Sequence, residues 1–137
     1  MDKNLILNFE APSEFYTLAF EDNGRVAYAY LKKDQKIVGD VWLYNRCLAP
    51  KIPEWDNDKE NTPYANIRDN ISKEGTVQKR VENDDVLVNW DEEEGHPVAY
   101  IYIFENLYGV IGVNDKPGYA RFAVKNSPIA LVMDITE

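Results

Sequence analysis

Short runs of strand-forming residues, separated by turn sequences, are the feature that most constrains the fold of this chain. Residues 15–20 and 26–31 are rich in aromatic and aliphatic side chains, and the Asp-Asn-Gly sequence at 22–24 provides the positive φ that a tight hairpin requires. A second turn at 33–35 leads into another such run at 37–44. Three strands joined by short turns predict an antiparallel meander in the first third of the chain.

The second half of the chain returns to the same pattern. A run at 86–90 precedes Val98–Phe104, which is apolar on both faces and therefore predicts a central strand. Further runs follow at 107–113, 119–124 and 129–135. Together these runs predict a mainly β fold, an antiparallel sheet of roughly eight strands arranged as a sandwich or a barrel.

Residues 45–76 break this pattern and predict a long proline-rich loop. Three prolines interrupt the segment, and its polar string at 54–61 has neither the period of a helix nor that of a strand. A short helix is predicted near 63–73, because Pro63 would occupy its first turn, where the missing N–H costs nothing.

Length and hydropathy limit the class of protein. At 137 residues the chain has the size of one domain, and we expect residues 1–137 to form a single domain. No membrane-spanning segment is predicted, because the most apolar stretch, 97–114, is broken by Glu105 and a spanning helix needs about 20 apolar residues. The run Leu5–Leu7 is too short for a signal peptide, and the single cysteine, Cys47, excludes an internal disulfide. We therefore expect a cytoplasmic protein.

No catalytic or metal site is predicted. His96 is the only histidine, and neither it nor Cys47 lies in a recognised nucleophile motif. One histidine and one cysteine do not make a zinc site. The acidic string at 56–61 resembles the start of a calcium loop, but Asn61 and Ile67 stand where that loop requires glycine and glutamate. We expect no catalytic residue, no metal and no cofactor.

Negative charge is concentrated in one segment. The chain has 15 Lys and Arg against 24 Asp and Glu, a net charge of −9, and seven of the acids lie between Glu82 and Glu94 with no basic residue among them. Such a local field favours a basic protein partner and disfavours nucleic acid, whose phosphates are bound by clustered Lys and Arg. A loop kept soluble by its charge is the alternative interpretation. The predicted partner-binding residues are Asp84, Asp85, Trp90 as an aromatic anchor, Asp91, Glu92, Glu93 and Glu94, with Trp55 and Tyr64 of the long loop as a second surface.

The chain resembles a known class of protein in its size, acidity and strand content. The residues that carry the resemblance are 82–94, as an acidic surface, and 39–46, as a family-like stretch. That class is the small, acidic, cytosolic immunity proteins of bacterial toxin systems, including contact-dependent inhibition. The resemblance implies a non-catalytic protein that binds and neutralises a cognate toxin, often a basic nuclease.

Two other functions remain open at this point. A bacterial adaptor or binding domain would contact its partner through the sheet rather than through the acidic tract. A small β-barrel enzyme that uses carboxylate and tyrosine chemistry would have a deep pocket with at least one strongly perturbed acid.

Overall fold

The computed structural model describes residues 5–12, 15–47, 49, 51 and 66–133. These residues form two β-sheets that share one hydrophobic core. The predicted mainly β fold is confirmed, and the barrel is excluded because neither sheet closes on itself. Within the described part of the chain, no helix has the length and hydropathy that crossing a membrane requires.

The strands of each sheet lie side by side in chain order, and all neighbours are antiparallel except the last pair, which is parallel. The first sheet consists of β1 (Leu5–Glu10), β2 (Tyr16–Asp22), β3 (Val26–Lys33) and β4 (Lys36–Asn45). The second sheet consists of β5 (Val86–Glu93), β6 (His96–Ile103), β7 (Asn106–Gly112), β8 (Tyr119–Ala120) and β9 (Leu131–Val132).

The predicted meander is present as β2, β3 and β4, and the structure adds β1 in front of it. The sequence pattern does not predict β1, because its apolar residues alternate with polar ones only over a short run and β2 supplies the pairing that holds it. The predicted strand at 98–104 is confirmed through Ile103 as β6, which has a hydrogen-bonded neighbour on each side, whereas Phe104 lies in the turn that follows.

Three segments differ from the prediction. The acidic tract is not a loop, since β5 continues to Glu93 and leaves only Glu94 and Gly95 as the turn. The run at 119–124 shortens to the two-residue strand β8, and the described part of the run at 129–135 contains only the two-residue strand β9. Residues 134 and 135 lie outside the described part of the chain. In the described part of the predicted helix, the chain forms two separate 3-10 turns, Arg68–Asn70 and Lys73–Gly75.

Two-residue turns with positive φ at both positions connect β5 to β6 and β6 to β7. Glu94 and Gly95 form the first turn, with φ of 53° and 83°, and Phe104 and Glu105 form the second, with φ of 50° and 68°. The twist of such a turn matches the twist of the strands it joins, which fixes the register of the hairpin. The acidic residues of β5 are therefore held opposite defined residues of β6.

The two sheets approach each other most closely where β4 meets β7. Val41–Asn45 of β4 are all buried, and Leu43 lies against Gly109 of β7. A Cβ atom at position 109 would lie 2.6 Å from the Leu43 Cδ2 atom, so a larger residue there would force the Leu43 side chain to shift. The core is thus centred on β4 and on the inner face of the second sheet.

The second edge of β4 is covered by backbone from the C-terminal part of the described chain. The Asp40 N–H donates to the Asp115 carbonyl at 2.9 Å, and the Trp42 N–H donates to the Ile129 carbonyl at 2.8 Å. Gly118 donates its N–H to the Asp40 carbonyl at 2.7 Å. These contacts explain why β8 and β9 are short, because the residues around them bond to β4 instead of continuing as strands.

Candidate protein-binding surface

The face of the second sheet that points away from the core has a mixed apolar and acidic composition. Along β6, the buried residues Ala99, Ile101 and Ile103 alternate with half-buried residues on this outer face. The strand register shows which residues of β5, β7 and β8 lie beside these half-buried residues of β6. The outer face consists of Leu87, Asn89, Asp91 and Glu93 of β5, Val98, Tyr100 and Tyr102 of β6, Val110 of β7 and Tyr119 of β8.

Large apolar side chains of the outer face are open to solvent. Leu87 is 59% exposed and Tyr119 is 43% exposed, and the two lie on different strands of the same face. Between them, the rings of Tyr100 and Tyr102 are half-buried. Exposed apolar and aromatic side chains that adjoin one another, rather than lying scattered, are typical of protein-binding sites.

Acidic residues border this face at both ends of β5. Asp91 and Glu93 lie on the outer face, opposite Val98 and His96, and Glu94 follows in the turn. At the other end, Asp84 and Asp85 form the end of a 3-10 turn that runs directly into β5. Within the described residues, none of these five acids forms an ion pair with Lys or Arg.

Two grooves on the outer face combine carboxylates with aromatic rings. The first has a volume of about 530 Å³ and is lined by Asp84, Asp85, Leu87, Tyr102 and Phe104, among others. The second has a volume of about 310 Å³ and is lined by Glu93, Glu94, Tyr100, Val110 and Tyr119, among others. Carboxylates accept hydrogen bonds from Lys and Arg, and aromatic faces attract the same cations. The Phe104 ring already contacts Lys79, whose Nζ lies 4.6 Å from the ring centroid. The carboxylates and tyrosines of the two grooves have the chemistry that basic side chains of a partner require.

The structure separates two of the predicted binding residues from the others. Trp90 lies opposite Ala99 and packs against the core, and Glu92 lies opposite Pro97 on that same inner side of β5. A strand places alternate residues on opposite faces, so Trp90 cannot share the outer face with Asp91. Trp55 and Tyr64, the second predicted surface, lie outside the described residues.

Sequence reasoning missed the apolar part of this surface. The tyrosines of β6 are visible in the sequence as one face of the run at 98–104, but there they indicate a strand buried on both sides. The signal that separates the faces is the register with β5, because exposed Leu87 and Asn89 lie opposite Tyr102 and Tyr100. That register depends on the two-residue turn at Glu94 and Gly95.

A carboxylate and a tyrosine do meet elsewhere, in a buried cluster at the end of the first sheet. Asp22 Oδ2 accepts hydrogen bonds from the Tyr44 hydroxyl at 2.7 Å and from Arg46 Nη1 at 3.2 Å, while Asp22 Oδ1 accepts from the Gly24 N–H at 2.8 Å. Burial, and then the hydrogen bond to Asp22, raise the pKa of Tyr44 above its ordinary value of 10.0. Its phenol therefore stays protonated, and the cluster stabilises the fold by joining β2 to β4.

The remaining candidate residues for catalysis or metal binding are Asp40, His96 and Cys47, which lie at separate places in the fold. Burial raises the pKa of Asp40, opposed by Lys116, but Asp40 is on β4 and lines neither groove. His96 is exposed at the start of β6, and Cys47 is half-buried beyond the end of β4. Among the described residues, no three His, Cys, Asp or Glu side chains come together as a metal site.

No protein-family model matches the chain, and no curated protein and no solved structure shows significant similarity to it.

Proposed function

We propose that this chain is a non-catalytic domain that binds a basic protein through the outer face of the second sheet. The observation that carries this proposal is the combination of exposed Leu87 and Tyr119 with carboxylates that form no ion pair among the described residues. Apolar and aromatic contacts supply most of the affinity of such an interface, and the surrounding charge selects the partner and accelerates its approach.

More specifically, we propose that the chain is an immunity protein. Such a protein neutralises a toxin in the cytoplasm of the cell that produces the immunity protein. The resemblance in size, acidity and strand content supplies the class, and charge complementarity supports it. A nuclease toxin binds nucleic acid through clustered Lys and Arg, and an acidic surface competes for those same side chains.

An adaptor domain with another basic partner would use the same face. From the sequence, an immunity protein is expected to bind through the acidic tract and an adaptor through the sheet. In the structure these two surfaces coincide, because Asp91 and Glu93 lie on the same face of the sheet as Tyr100. The nature of the partner, rather than the position of the contact, therefore separates the two functions.

A growth assay tests the proposal with the polypeptide encoded immediately upstream as the candidate toxin. Cells that express this polypeptide should survive when they also express the wild-type chain. The double variant Leu87→Ser, Tyr119→Ser should lose protection, because it removes exposed apolar contacts without emptying the core. The matched control is Ile6→Ser, Ile37→Ser, which changes two exposed apolar residues of the first sheet and should protect as the wild type does.

Two results would contradict the proposal. An upstream polypeptide that is harmless in the absence of this chain would contradict the immunity function. Equal protection by the outer-face variant and its control, at equal expression, would show that the outer face is not the binding surface.

A further inference from the structure

Strand β5 lies at an edge of the second sheet and has a hydrogen-bonded neighbour on one side only. Its register with β6 runs without interruption from Val86 to Glu93. On its other side, no described residue forms a backbone hydrogen bond with it along Leu87–Glu93. An edge strand of this length is a template on which a further strand can pair.

The register identifies the backbone groups that point to this free edge. In a hairpin with a two-residue turn, the residues that flank the turn exchange hydrogen bonds, and such pairs alternate along the strands. Glu93 and His96 flank the turn here, so Val88, Trp90 and Glu92 direct their N–H and carbonyl groups outward. The Glu92 N–H is satisfied by Asp91 Oδ1 at 2.7 Å. Val88 and Trp90 therefore present unpaired N–H donors within the described structure.

We propose that an extended, basic segment of the partner adds to this free edge as a further antiparallel or parallel strand. The inference rests on the proposed function and specifies how the partner is held. Main-chain hydrogen bonds to Val88 and Trp90 would supply affinity, as in other complexes formed by strand addition. The segment would continue the second sheet, so that the rest of the partner lies over its outer face.

Charge complementarity selects the occupant of the edge. Asp91 and Glu93 project to the outer face and Glu92 to the inner one, so both faces of a docked strand meet carboxylates near this end. Cross-strand pairs of opposite charge stabilise a sheet, and pairs of like charge destabilise it. A segment with Lys or Arg is therefore favoured, and a second copy of this chain, with its own net charge of −9, is disfavoured.

Amide hydrogen exchange on the isotope-labelled full chain tests the inference with two defined probes. The first probe is a peptide as long as β5, eight residues of alternating Lys and Val with blocked ends. The second probe is the same peptide N-methylated at every residue, which keeps the charge but has no backbone donors. At saturation and low salt, we expect the first peptide to slow exchange at Val88 and Trp90 by about tenfold or more. The methylated peptide should bind about tenfold more weakly and give no protection.

The outcomes separate this inference from the proposed function. Equal binding of both peptides, with chemical-shift changes on the outer face and no protection at Val88 and Trp90, would overturn strand addition and leave the outer face as the binding surface. No binding of either peptide at low salt would contradict both. As a control for charge, neutralising Asp91, Glu92, Glu93 and Glu94 should weaken binding of the first peptide, whereas neutralising Glu10, Asp34, Asp69 and Glu74 should not.

Discussion

Strands β4 and β5 each contain a short run of aliphatic and aromatic residues, at 41–44 and at 86–90, yet their surroundings differ. Residues 41–45 of β4 are buried, and loop backbone covers its second edge. In β5 only Val86 is buried, its last residues are acids, and its second edge has no backbone partner among the described residues. The described part of the chain thus supplies hydrogen-bond partners to both edges of β4 but to only one edge of β5. A strand that the fold does not complete is where we expect a partner.

The largest effect should come from removing the indole of β4. Trp42 is fully buried, and its Nε1 donates to Asn45 Oδ1 at 2.8 Å. Trp42→Ala should lower the free energy of unfolding by about 3–5 kcal/mol, since it leaves a cavity and an amide with one partner fewer. Urea denaturation measures this change. A midpoint close to that of the wild type would show that β4 is not the centre of the core.

A smaller effect should follow from the same substitution in β5. Trp90 is half-buried and packs against the core from the edge strand, so Trp90→Ala should cost about 2 kcal/mol. Because the indole is on the inner side, binding of the partner should change less than stability does. A normal denaturation midpoint combined with faster dissociation of the partner would instead make Trp90 an interface anchor.

The buried hydroxyl of Tyr44 should contribute less to the free energy of unfolding than the indole of Trp42 or of Trp90. Tyr44→Phe removes the 2.7 Å hydrogen bond to Asp22 and should cost about 1.5 kcal/mol. The folded-state pKa of Tyr44 is raised above 10.0, so its contribution is complete below that pH and is lost as the pH rises further. The wild type should therefore lose stability above pH 10 more steeply than Tyr44→Phe. Parallel curves of stability against pH for the two proteins would contradict this role.

The smallest effect on stability should come from the acids of β5. Changing Asp91→Asn, Glu92→Gln, Glu93→Gln and Glu94→Gln alters exposed side chains that form no ion pair with any described residue. The free energy of unfolding should change by no more than about 0.5 kcal/mol. A large loss in urea denaturation would mean that the tract has a structural role, and that β5 is a second scaffold strand like β4.

The sequence predicts the positions of strands and turns better than it predicts which faces and edges of the strands are buried. Residues 98–104 and the turn at 22–24 are predicted because a local pattern is enough to define them. The acids after Trp90 are predicted as a loop, since Asp and Glu are poor strand formers, yet pairing with His96–Val98 extends β5 through them. Because β5 extends through these acids, the predicted binding residues alternate between its two faces. No local sequence pattern predicts this division.

The most direct test of the outer face as a binding surface is the rate at which the upstream-encoded polypeptide associates with the chain. The four-acid variant of β5 is compared with a variant neutralised at Glu10, Asp34, Asp69 and Glu74, which loses the same charge from exposed positions elsewhere. At low ionic strength the β5 variant should associate roughly tenfold more slowly than its control, and its rate should depend less on salt. Equal rates and equal salt dependence in the two variants would contradict the account.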